Sequence, residues 1–586
     1  RLALAQGEKI YNPYSYLYQG TFNEYTASKL FTDLQLSQDL GFITKGLSAK
    51  AKVSFNTYYR NQSLTASWTF PEYTLMFDNI GTSLNPWVRD GEGNETWIQS
   101  PLDINVGGLQ GDYYKDLYYE ASLNYDRSFG KHSVTGLFLF NRHQNDPNTE
   151  YSYYNESWVG RATYDYAKKY LLEFNVGYTG SERFAPANRF GFFPSAAVGW
   201  VASEEPFIKK NAPWLSLLKF RYSDGLVGSD YASSRWLYMS DYSTSGNIIY
   251  EDAVANKDAQ WEEAHKRDLG IETGFLDNMF TFSADFFDEH RSKMLLNVQS
   301  NTFLIGNAGF KQLNRGKMKK HGYELEFGFN KRTAYGLSYK LKGMFSFNEN
   351  RIVYKDDYPY VPNYQKVSGT AQGAQTGGSV SVDGGYYTSV DDIHNYPTTG
   401  GRSLNYIVPG DYKYLDFTSD GILSSLDSYP VKGSLYAPYS YSLSGEFTYR
   451  NWEASILFQG VQGKYINFRG TFQGEFNSDA KRVHEAQVNY WTPTNRNADH
   501  ATMNDPEIWG GYGSGALYGQ QWRKSDYLRL KQIYVGYSFK PKFLVNTINV
   551  SKVTVYASGN NVFTLTNLVE GDPEQLDMST DTSNAY

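Results

Sequence analysis

Hydrophobic and polar residues alternate along many segments of this chain. Between Lys169 and Gly180, for example, apolar side chains occupy every second position, with polar or small residues between them. Successive side chains point to opposite faces of a β-strand, so this pattern predicts strands with one apolar and one polar face. An all-β fold is therefore expected. Further segments with the same period of two lie at 117–129, 280–290, 323–330 and 441–460.

The connections between these segments distinguish a soluble sandwich from a membrane barrel. Short turns are predicted near Gly130, Lys168, Asp277, Ala334 and Asn451. A sandwich with crossing connections gives no such rhythm, whereas outer-membrane barrels combine short inner turns with long outer loops. The pattern predicts a transmembrane antiparallel up-and-down β-barrel with about sixteen strands in this chain. The predicted long connections, which alternate with the short turns, run over 61–116, 228–265, 291–319, 351–438 and 468–524.

The composition supports a barrel and excludes several other classes. Aromatic residues make up 17% of the 586 residues, and no run of eighteen apolar residues could form a membrane-spanning helix. A membrane-spanning chain of this kind must therefore use a closed barrel. The absence of cysteine excludes disulfides and thiolate metal sites. A net charge of -7 disfavours a general nucleic-acid binder.

Catalytic motifs do not stand out in the sequence. No zinc-protease, phosphate-loop or nucleophile-elbow pattern occurs, so we predict that the protein is not an enzyme. His265 and His321 lie next to predicted strand starts and are interpreted as polar-face or interface residues rather than ligands. Glu324 and Glu326 could suggest an acid/base pair, but in a barrel they belong to the polar face that lines the lumen.

One loop has the spacing of a calcium site. Oxygen-bearing residues alternate in the segment 416–427, with a glycine at the sixth position. This spacing resembles an EF-hand-type loop, although a threonine stands at the third position and an aspartate at the twelfth. A polar turn without metal is the alternative. The candidate calcium ligands are Asp416, Thr418, Asp420, Ile422, Ser424 and Asp427.

A second loop offers aromatic side chains for ligand binding. Trp509, Tyr512, Tyr518 and Trp522 are separated by glycines in a long predicted connection. Exposed aromatic rings on such a loop can stack on sugars or pack against a partner protein. The alternative is that these rings belong to the aromatic belt at the membrane surface.

Several longer segments resemble the SusC/RagA family of TonB-dependent outer-membrane transporters. The first is Arg189–Lys210, "RFGFFPSAAVGWVASEEPFIKK", which is followed by "LSLLKFRYSDGLVGSD". Each segment alone is moderately specific, but their order along almost the whole chain is highly specific. Further matching segments are "ITKGLSAKAKVSF", "WEEAHKRDLGIETGFLDNMFTFSADFFDEHRSKML", "NRGKMKKHGYELEFGFN", "PGDYKYLDFTSDGIL", "YLRLKQIYVGYSF" and "VYASGNNVFTLTNLVEGDPE".

The resemblance implies that residues 1–586 form an incomplete barrel domain. Large transporters of this type have about 22 strands and a plugged lumen. The sequence shows no counterpart of the plug domain, of the first strands or of the final strand. The first predicted strand, near Leu30 to Leu36, would then be the sixth of the barrel.

The function implied by the resemblance is TonB-dependent import of an oligosaccharide or a peptide across the Gram-negative outer membrane. Expected partners are a SusD-like surface lipoprotein, outer-membrane lipid, and the TonB–ExbB–ExbD motor acting through the plug. A passive porin or adhesin-like barrel is the alternative, and a soluble glycan-binding β protein is a third possibility. No cofactor is expected apart from calcium in the segment 416–427.

Overall fold

The computed structural model describes most of the chain and resolves it into two compact units. One comprises Arg1–Tyr125 with Leu137–Trp158, and the other comprises Asp126–Gly136 with Val159–Tyr586. The described residues are 22–67, 77–78, 83–84, 103–105, 111–147, 151–232, 234–246, 248–298, 309–374, 381–399, 407–428, 433–467, 488–498, 501–502, 522–541, 543, 550–568 and 571–575.

Sixteen strands of eleven or more residues dominate the described residues, which agrees with the number predicted from the alternation. In chain order they are β1 Phe22–Asp39, β2 Leu47–Ser67, β3 Gly111–Phe129, β4 His132–Pro147, β5 Tyr153–Tyr166, β6 Tyr170–Ser181, β7 Phe190–Val201, β8 Leu215–Ser229, β9 Glu262–Phe275, β10 Phe280–Leu296, β11 Leu313–Arg332, β12 Leu337–Tyr354, β13 Tyr439–Tyr449, β14 Trp452–Gln462, β15 Tyr527–Phe539 and β16 Val553–Thr566.

Shorter elements lie in the connections. Two α-helices span Pro206–Asn211 and Val390–Asn395, and neither these nor any other described helix is long and apolar enough to cross a membrane. Short 3-10 helices span Pro186–Asn188, Ala202–Glu204, Asn363–Gln365 and Ser425–Asp427. Short strands span Phe77–Asp78, Ser83–Leu84, Asp103–Asn105, Asp241–Ser245, Ile248–Val254, Gly309–Phe310, Ser381–Tyr386, Thr398–Thr399, Tyr412–Tyr414, Ile422–Leu423, Tyr465–Asn467 and Trp522–Lys524.

In the first unit, β1 pairs antiparallel with β2, and β2 pairs antiparallel with β3. The predicted first strand near Leu30 to Leu36 is real but extends further in both directions. Val53 lies opposite Tyr119, and the neighbouring Ser54 lies opposite Tyr118. On one face Val53 and Ala51 lie opposite Tyr119 and Ala121, and on the other Lys52 lies opposite Glu120, so the alternation predicted for β3 is confirmed.

In the second unit, consecutive long strands pair antiparallel from β6 to β16 without a crossover. This connectivity confirms the predicted all-β, up-and-down antiparallel fold. Large apolar side chains on one face are strongly exposed, among them Phe174 at 58% and Phe192 at 59%. The opposite face carries hydrogen-bonded polar groups, as where the Asn175 amide donates to Glu173 and Ser195.

Pro194 tests the assignment of β7 because proline cannot donate a backbone hydrogen bond. It lies opposite Val176 of β6, whereas pairing with β8 begins one residue later, at Ser195. No ladder bond toward β8 is therefore lost at Pro194, so this proline is compatible with a strand flanked by partners on both sides.

The short turns use backbone conformations that suit tight reversals. Ala167 and Lys168 both have positive φ values, 55° and 58°, between β5 and β6. Two successive residues in this region are typical of the primed turns that match the twist of paired strands. The carboxylate of Asp165 also accepts a hydrogen bond from the Lys168 amide at 2.6 Å.

The predicted strict alternation of short and long connections is only partly correct. Residues 182–189, between β6 and β7, form a short connection on the side of the long loops. Residues 202–214, on the side of the short turns, contain the helix Pro206–Asn211. That helix is preceded by Glu205, whose carboxylate accepts hydrogen bonds from Lys169 and Tyr170, so this longer connection still packs closely against its neighbouring turn.

Candidate functional site

The polar face of the second unit carries a cleft of about 470 Å³. Glu324 and Glu326 both contribute to its wall, so the structure places them on the polar face, as predicted. Glu326 is paired with Lys342 at 3.0 Å, whereas Glu324 lies opposite Asp285 in the adjacent strand. Other polar-face residues of the wall are Ser283, Ser346, Ser440, Ser442 and Gln459.

Arg221 forms ion pairs with three carboxylates beside this cleft. Its guanidinium lies 3.0 Å from Asp268, 3.2 Å from Glu272, and in direct contact with Asp285. A Cβ at Gly270 would lie 2.5 Å from the Arg221 side chain, so only glycine leaves room for the guanidinium here. Arg221 thus contacts three carboxylates on the polar face, and Lys219 adds a second cation 3.1 Å from Glu272, so these groups form a network of ion pairs rather than an acid/base pair.

The described residues form two buried hydrophobic clusters, and the first is built around Trp261. The Trp261 cluster comprises Phe184, Ala232, Leu237, Ala259, Trp261 and Leu295. The indole donates a hydrogen bond to the carbonyl of Arg189 at 3.0 Å, and its ring lies 5.3 Å from that of Phe193. A Cβ at Gly228 would lie 1.9 Å from the Phe193 ring, so this glycine makes room for the ring.

The second buried cluster is formed by residues of the long loops. The Trp491 cluster comprises Tyr386, Tyr412, Trp491, Ala498 and Ala501. Tyr386 donates a hydrogen bond to the carbonyl of Ala498 at 2.8 Å, and the Tyr412 hydroxyl accepts one from the Ala501 amide at 3.1 Å. The connection between β12 and β13 is thereby joined to the connection between β14 and β15. Sequence periodicity cannot find such a cluster, because its members are scattered over two loops.

In the candidate calcium loop, two carboxylates accept hydrogen bonds from backbone amides of the same loop. Asp416 accepts hydrogen bonds from the amides of Asp420 and Gly421, and Asp427 accepts them from Thr418 and Ser424. Burial opposes ionisation of Asp427, but these backbone donors outweigh it and hold the pKa of the carboxyl below its usual value.

These carboxylates therefore act as local caps in the present arrangement. Among the residues that the structure describes, no group of three or more His, Cys, Asp or Glu is positioned to hold a metal ion. The spacing alone could not reveal this, because the same oxygens can serve either a cation or backbone amides. Calcium binding stays a prediction that this arrangement does not support.

Three of the four predicted aromatic ligand residues, Trp509, Tyr512 and Tyr518, lie outside the described residues. Trp522 begins the short strand Trp522–Lys524, which pairs with Tyr465–Asn467. Its side chain is not among those described, so the predicted role of these aromatic residues in ligand binding stays a prediction.

A charged clamp fixes the end of the last matching motif, at residues 572–574. Arg529 binds Asp572 through both terminal nitrogens, at 2.7 and 3.3 Å, and Lys531 binds Glu574 at 2.7 Å. The buried Lys464 donates to the carbonyl of Pro573 at 2.6 Å. Burial lowers the pKa of the Lys464 ammonium against the opposing effect of the nearby carboxylates. Sequence reasoning used this motif only as a resemblance and did not predict the clamp.

Comparison with curated proteins finds relatives over most of the chain. TonB-dependent receptor P3 of Formosa agariphila is 26% identical over 503 residues, covering 78% of this chain and 48% of the receptor. TonB-dependent receptor SusC of Bacteroides thetaiotaomicron is 24% identical over 533 residues, covering 82% of this chain and 50% of the receptor. The chain spans about half the length of these relatives. No protein-family model matches the chain.

Solved structures show the same fold. The RagAB peptide transporter matches with a TM-score of 0.68 at 16% identity, covering 96% of this chain and 61% of that chain. The RagAB peptide importer in its open-open state matches with a TM-score of 0.67 at 15% identity, covering 96% and 60%. Together with the curated relatives, these matches confirm the predicted resemblance, the barrel fold class and the outer-membrane location.

Proposed function

We propose that this chain, which is similar to SusC-type TonB-dependent receptors, forms the barrel of an active nutrient importer. The observation that carries the proposal is the alignment with SusC-type receptors over most of the chain. The polar face with its cleft supplies a hydrated lining for a translocated solute, and the apolar face supplies the surface toward lipid. The relatives are receptors rather than enzymes, which supports a transport role without a covalent step.

The proposed partner at the cell surface is a SusD-like lipoprotein that acts as a lid. The Trp261 and Trp491 clusters support this role, because they give the outer loops buried cores and therefore defined surfaces. A permanent lid of this kind buries more than about 2,000 Å² in total. The short turns are too small to supply such a surface. Energy would come from TonB with ExbB and ExbD, acting on a plug domain in the whole transporter.

The proposed cargo is an oligosaccharide or a peptide. The segment with Trp509, Tyr512, Tyr518 and Trp522 is the proposed contact for a sugar ring or an apolar peptide side chain. Replacing these four aromatic residues by alanine is expected to reduce uptake while leaving the barrel inserted. Growth of the variant strain on oligosaccharides or on peptides as the sole carbon source identifies which cargo depends on them.

The test of the importer with a lid is a deletion in the connection between β12 and β13. Removing residues 355–434 is expected to weaken co-purification of the lipoprotein and to reduce uptake, because surface loops carry few of the strand hydrogen bonds. Insertion is checked by the heat-dependent mobility of the barrel on a gel. As a control, Asn451→Gly in a short turn should leave both readouts unchanged. Normal lid retention and uptake after deletion of each long loop in turn would contradict the proposal.

TonB dependence separates this proposal from a passive porin. Uptake by the whole transporter should stop when TonB is removed or when the proton gradient is collapsed. Uptake that continues under both conditions would favour a porin-like barrel instead.

A further inference from the structure

The lipid-side face of strand β11 carries basic residues at its outer end and apolar residues over most of its length. Lys317, Lys319 and His321 are exposed at its outer end. They are followed on the same face by Tyr323, Leu325, Phe327 and Phe329, and then by the exposed Lys331 at the inner end. His321 and His265 were predicted to be polar-face or interface residues. The period of two places both on the apolar face, beyond its last aromatic residue, which excludes the polar-face alternative and leaves the interface alternative.

The spacing on β11 locates the membrane boundary. His321 and Lys331 are separated by ten residue steps. With a rise of about 3.4 Å per residue and a tilt of about 40°, these steps cover roughly 26 Å along the membrane normal. The apolar band of outer-membrane barrels is about 25 Å tall. His321 and the lysines beyond it therefore lie at the level of the lipid headgroups.

Basic residues from four neighbouring strands share this level. Cross-strand register places His265 opposite His290, His290 opposite Lys319, and Lys319 opposite Arg351. Directly opposed side chains lie on the same face of a sheet, and like charges in such positions, as at Lys319 and Arg351, are destabilising. We call His265, His290, Lys319 and Arg351 the basic row.

The next row toward the middle of the membrane differs from the basic row because it also contains acidic residues. There, Arg267 lies between Asp224 and Asp288, and His321 lies between Asp288 and Glu349. Acidic and basic or protonatable residues thus alternate across five strands, so the charges in this lower row compensate one another. The basic row has no acidic member of its own.

The nearest carboxylates lie in the lower row and contact the two histidines of the basic row, not its lysine or arginine. Asp288 lies 2.9 Å from the His290 ring, and Asp224 lies 2.8 Å from the His265 ring. Arg351 donates from Nε to the carbonyl of Gly369 at 3.1 Å. Within the described part of the chain, Lys319 and Lys317 make no ion pair or side-chain hydrogen bond. Lys317 and Lys319 therefore present ammonium groups on the outward surface without a counter-ion among the described residues.

We propose that the basic row, together with Lys317, binds the phosphate group of a phosphorylated glycolipid in the outer leaflet. Phosphate oxygens accept several charge-assisted hydrogen bonds at once, and guanidinium and ammonium groups are suited to this role. The aromatic residues below the row, including Tyr323, Phe286 and Tyr222, would contact the upper part of the acyl chains. The repulsion between the directly opposed Lys319 and Arg351 is relieved when the phosphate is bound.

The experiment uses the whole transporter, purified and stripped of native lipid. Binding of monophosphoryl lipid A, of the same lipid without phosphate, and of inorganic phosphate is measured by native mass spectrometry and by titration in detergent. The phosphorylated lipid is expected to bind the wild-type protein most tightly. One cation near a membrane surface changes binding about fivefold, so Lys319→Gln should weaken binding about fivefold and Lys319→Gln with Arg351→Gln about 25-fold.

Two controls separate charge from folding. Lys331 lies on the same face of β11 as Lys319 but at the inner end, so Lys331→Gln should leave binding unchanged. Lys319→Arg keeps the positive charge and should retain binding, while heat-dependent gel mobility verifies that every variant is folded. Equal binding of the lipid without phosphate would overturn the proposal, as would unchanged affinity in the double variant. Inorganic phosphate that displaces the lipid at equal concentration would show a site for free phosphate instead.

Discussion

The strands of this protein expose their large apolar side chains, whereas the outer loops bury theirs. Along the strands, large apolar side chains such as Phe174 and Leu443 are more than half exposed, whereas Arg221 and its three carboxylates lie on the polar face. In the loops, Trp261 is 8% exposed and Trp491 is 4% exposed. The difference identifies the solvent around each region, with lipid outside the strands and water around the loops.

The largest difference in stability is expected between apolar residues buried in the loop clusters and apolar residues exposed on the strands. Trp261→Ala and Trp491→Ala should each cost about 3–5 kcal/mol of local loop stability, because each leaves a cavity in a buried cluster. Phe174→Ala should cost far less, because lipid chains can fill the space. Hydrogen exchange of the loop amides measures the first effect, and urea unfolding in lipid vesicles measures the second. Equal losses at all three sites would contradict the contrast.

The second largest difference is expected between the two faces of strand β6 when an arginine is placed on each. Val176→Arg should cost about 2–4 kcal/mol, because the charge would enter the hydrocarbon. Asn175→Arg should cost much less, since this side chain faces Glu173 and Ser195 on the polar face. Urea unfolding of the vesicle-embedded protein compares the two variants. A similar cost at both positions would mean that the faces have been assigned incorrectly.

A smaller effect is expected on the polar face itself. Arg221→Met leaves Asp268, Glu272 and Asp285 without their shared cation and should cost about 1 kcal/mol, because Arg221 is partly solvated. Added salt should reduce this cost by screening the repulsion between the carboxylates. Lys340→Met, at an exposed pair 3.7 Å from Glu446, serves as the control and should change little. A cost that does not respond to salt would argue against an electrostatic origin.

The smallest effect concerns the pH dependence of the loop 416–427. The pKa of Asp427 is lowered in the folded loop, chiefly by backbone donors that outweigh burial. Its stabilising contribution is therefore complete above the unfolded value, about 3.9, and is lost as the pH falls through the lower folded value. Protection of the loop from proteolysis by pepsin should decrease over this acidic range. Asp427→Asn should lose about 1 kcal/mol at neutral pH and should show a weaker acid response.

Calcium offers a direct check on the same loop. If the carboxylates serve only as caps, millimolar calcium should leave loop protection and heat release in a titration unchanged. Calcium-dependent protection that is lost in Asp416→Asn would restore the predicted metal site and would require the loop to rearrange.

The strands were predictable from sequence because their periodicity is local. The alternation at Phe174, Val176 and Tyr178 requires only neighbouring positions, and it specified the faces of β6 before any pairing was known. The clusters around Trp261 and Trp491 depend on contacts between distant loops, and no local pattern encodes those contacts. The role of Asp427 was also not accessible, because a carboxylate at a given spacing can accept either a cation or backbone amides.

The exact cross-strand register has a consequence for how genes of this type can diverge. Inserting one residue directly after Tyr323 would turn Phe327 toward the lumen and Glu326 toward lipid, because every side chain beyond the insertion changes face. Insertions and deletions of odd length should therefore be rare within the strands, except where a β-bulge already shifts the register, as between Arg291 and Met294. Length variation in related genes should accumulate in the long outer loops, and changes inside strands should come in pairs of residues.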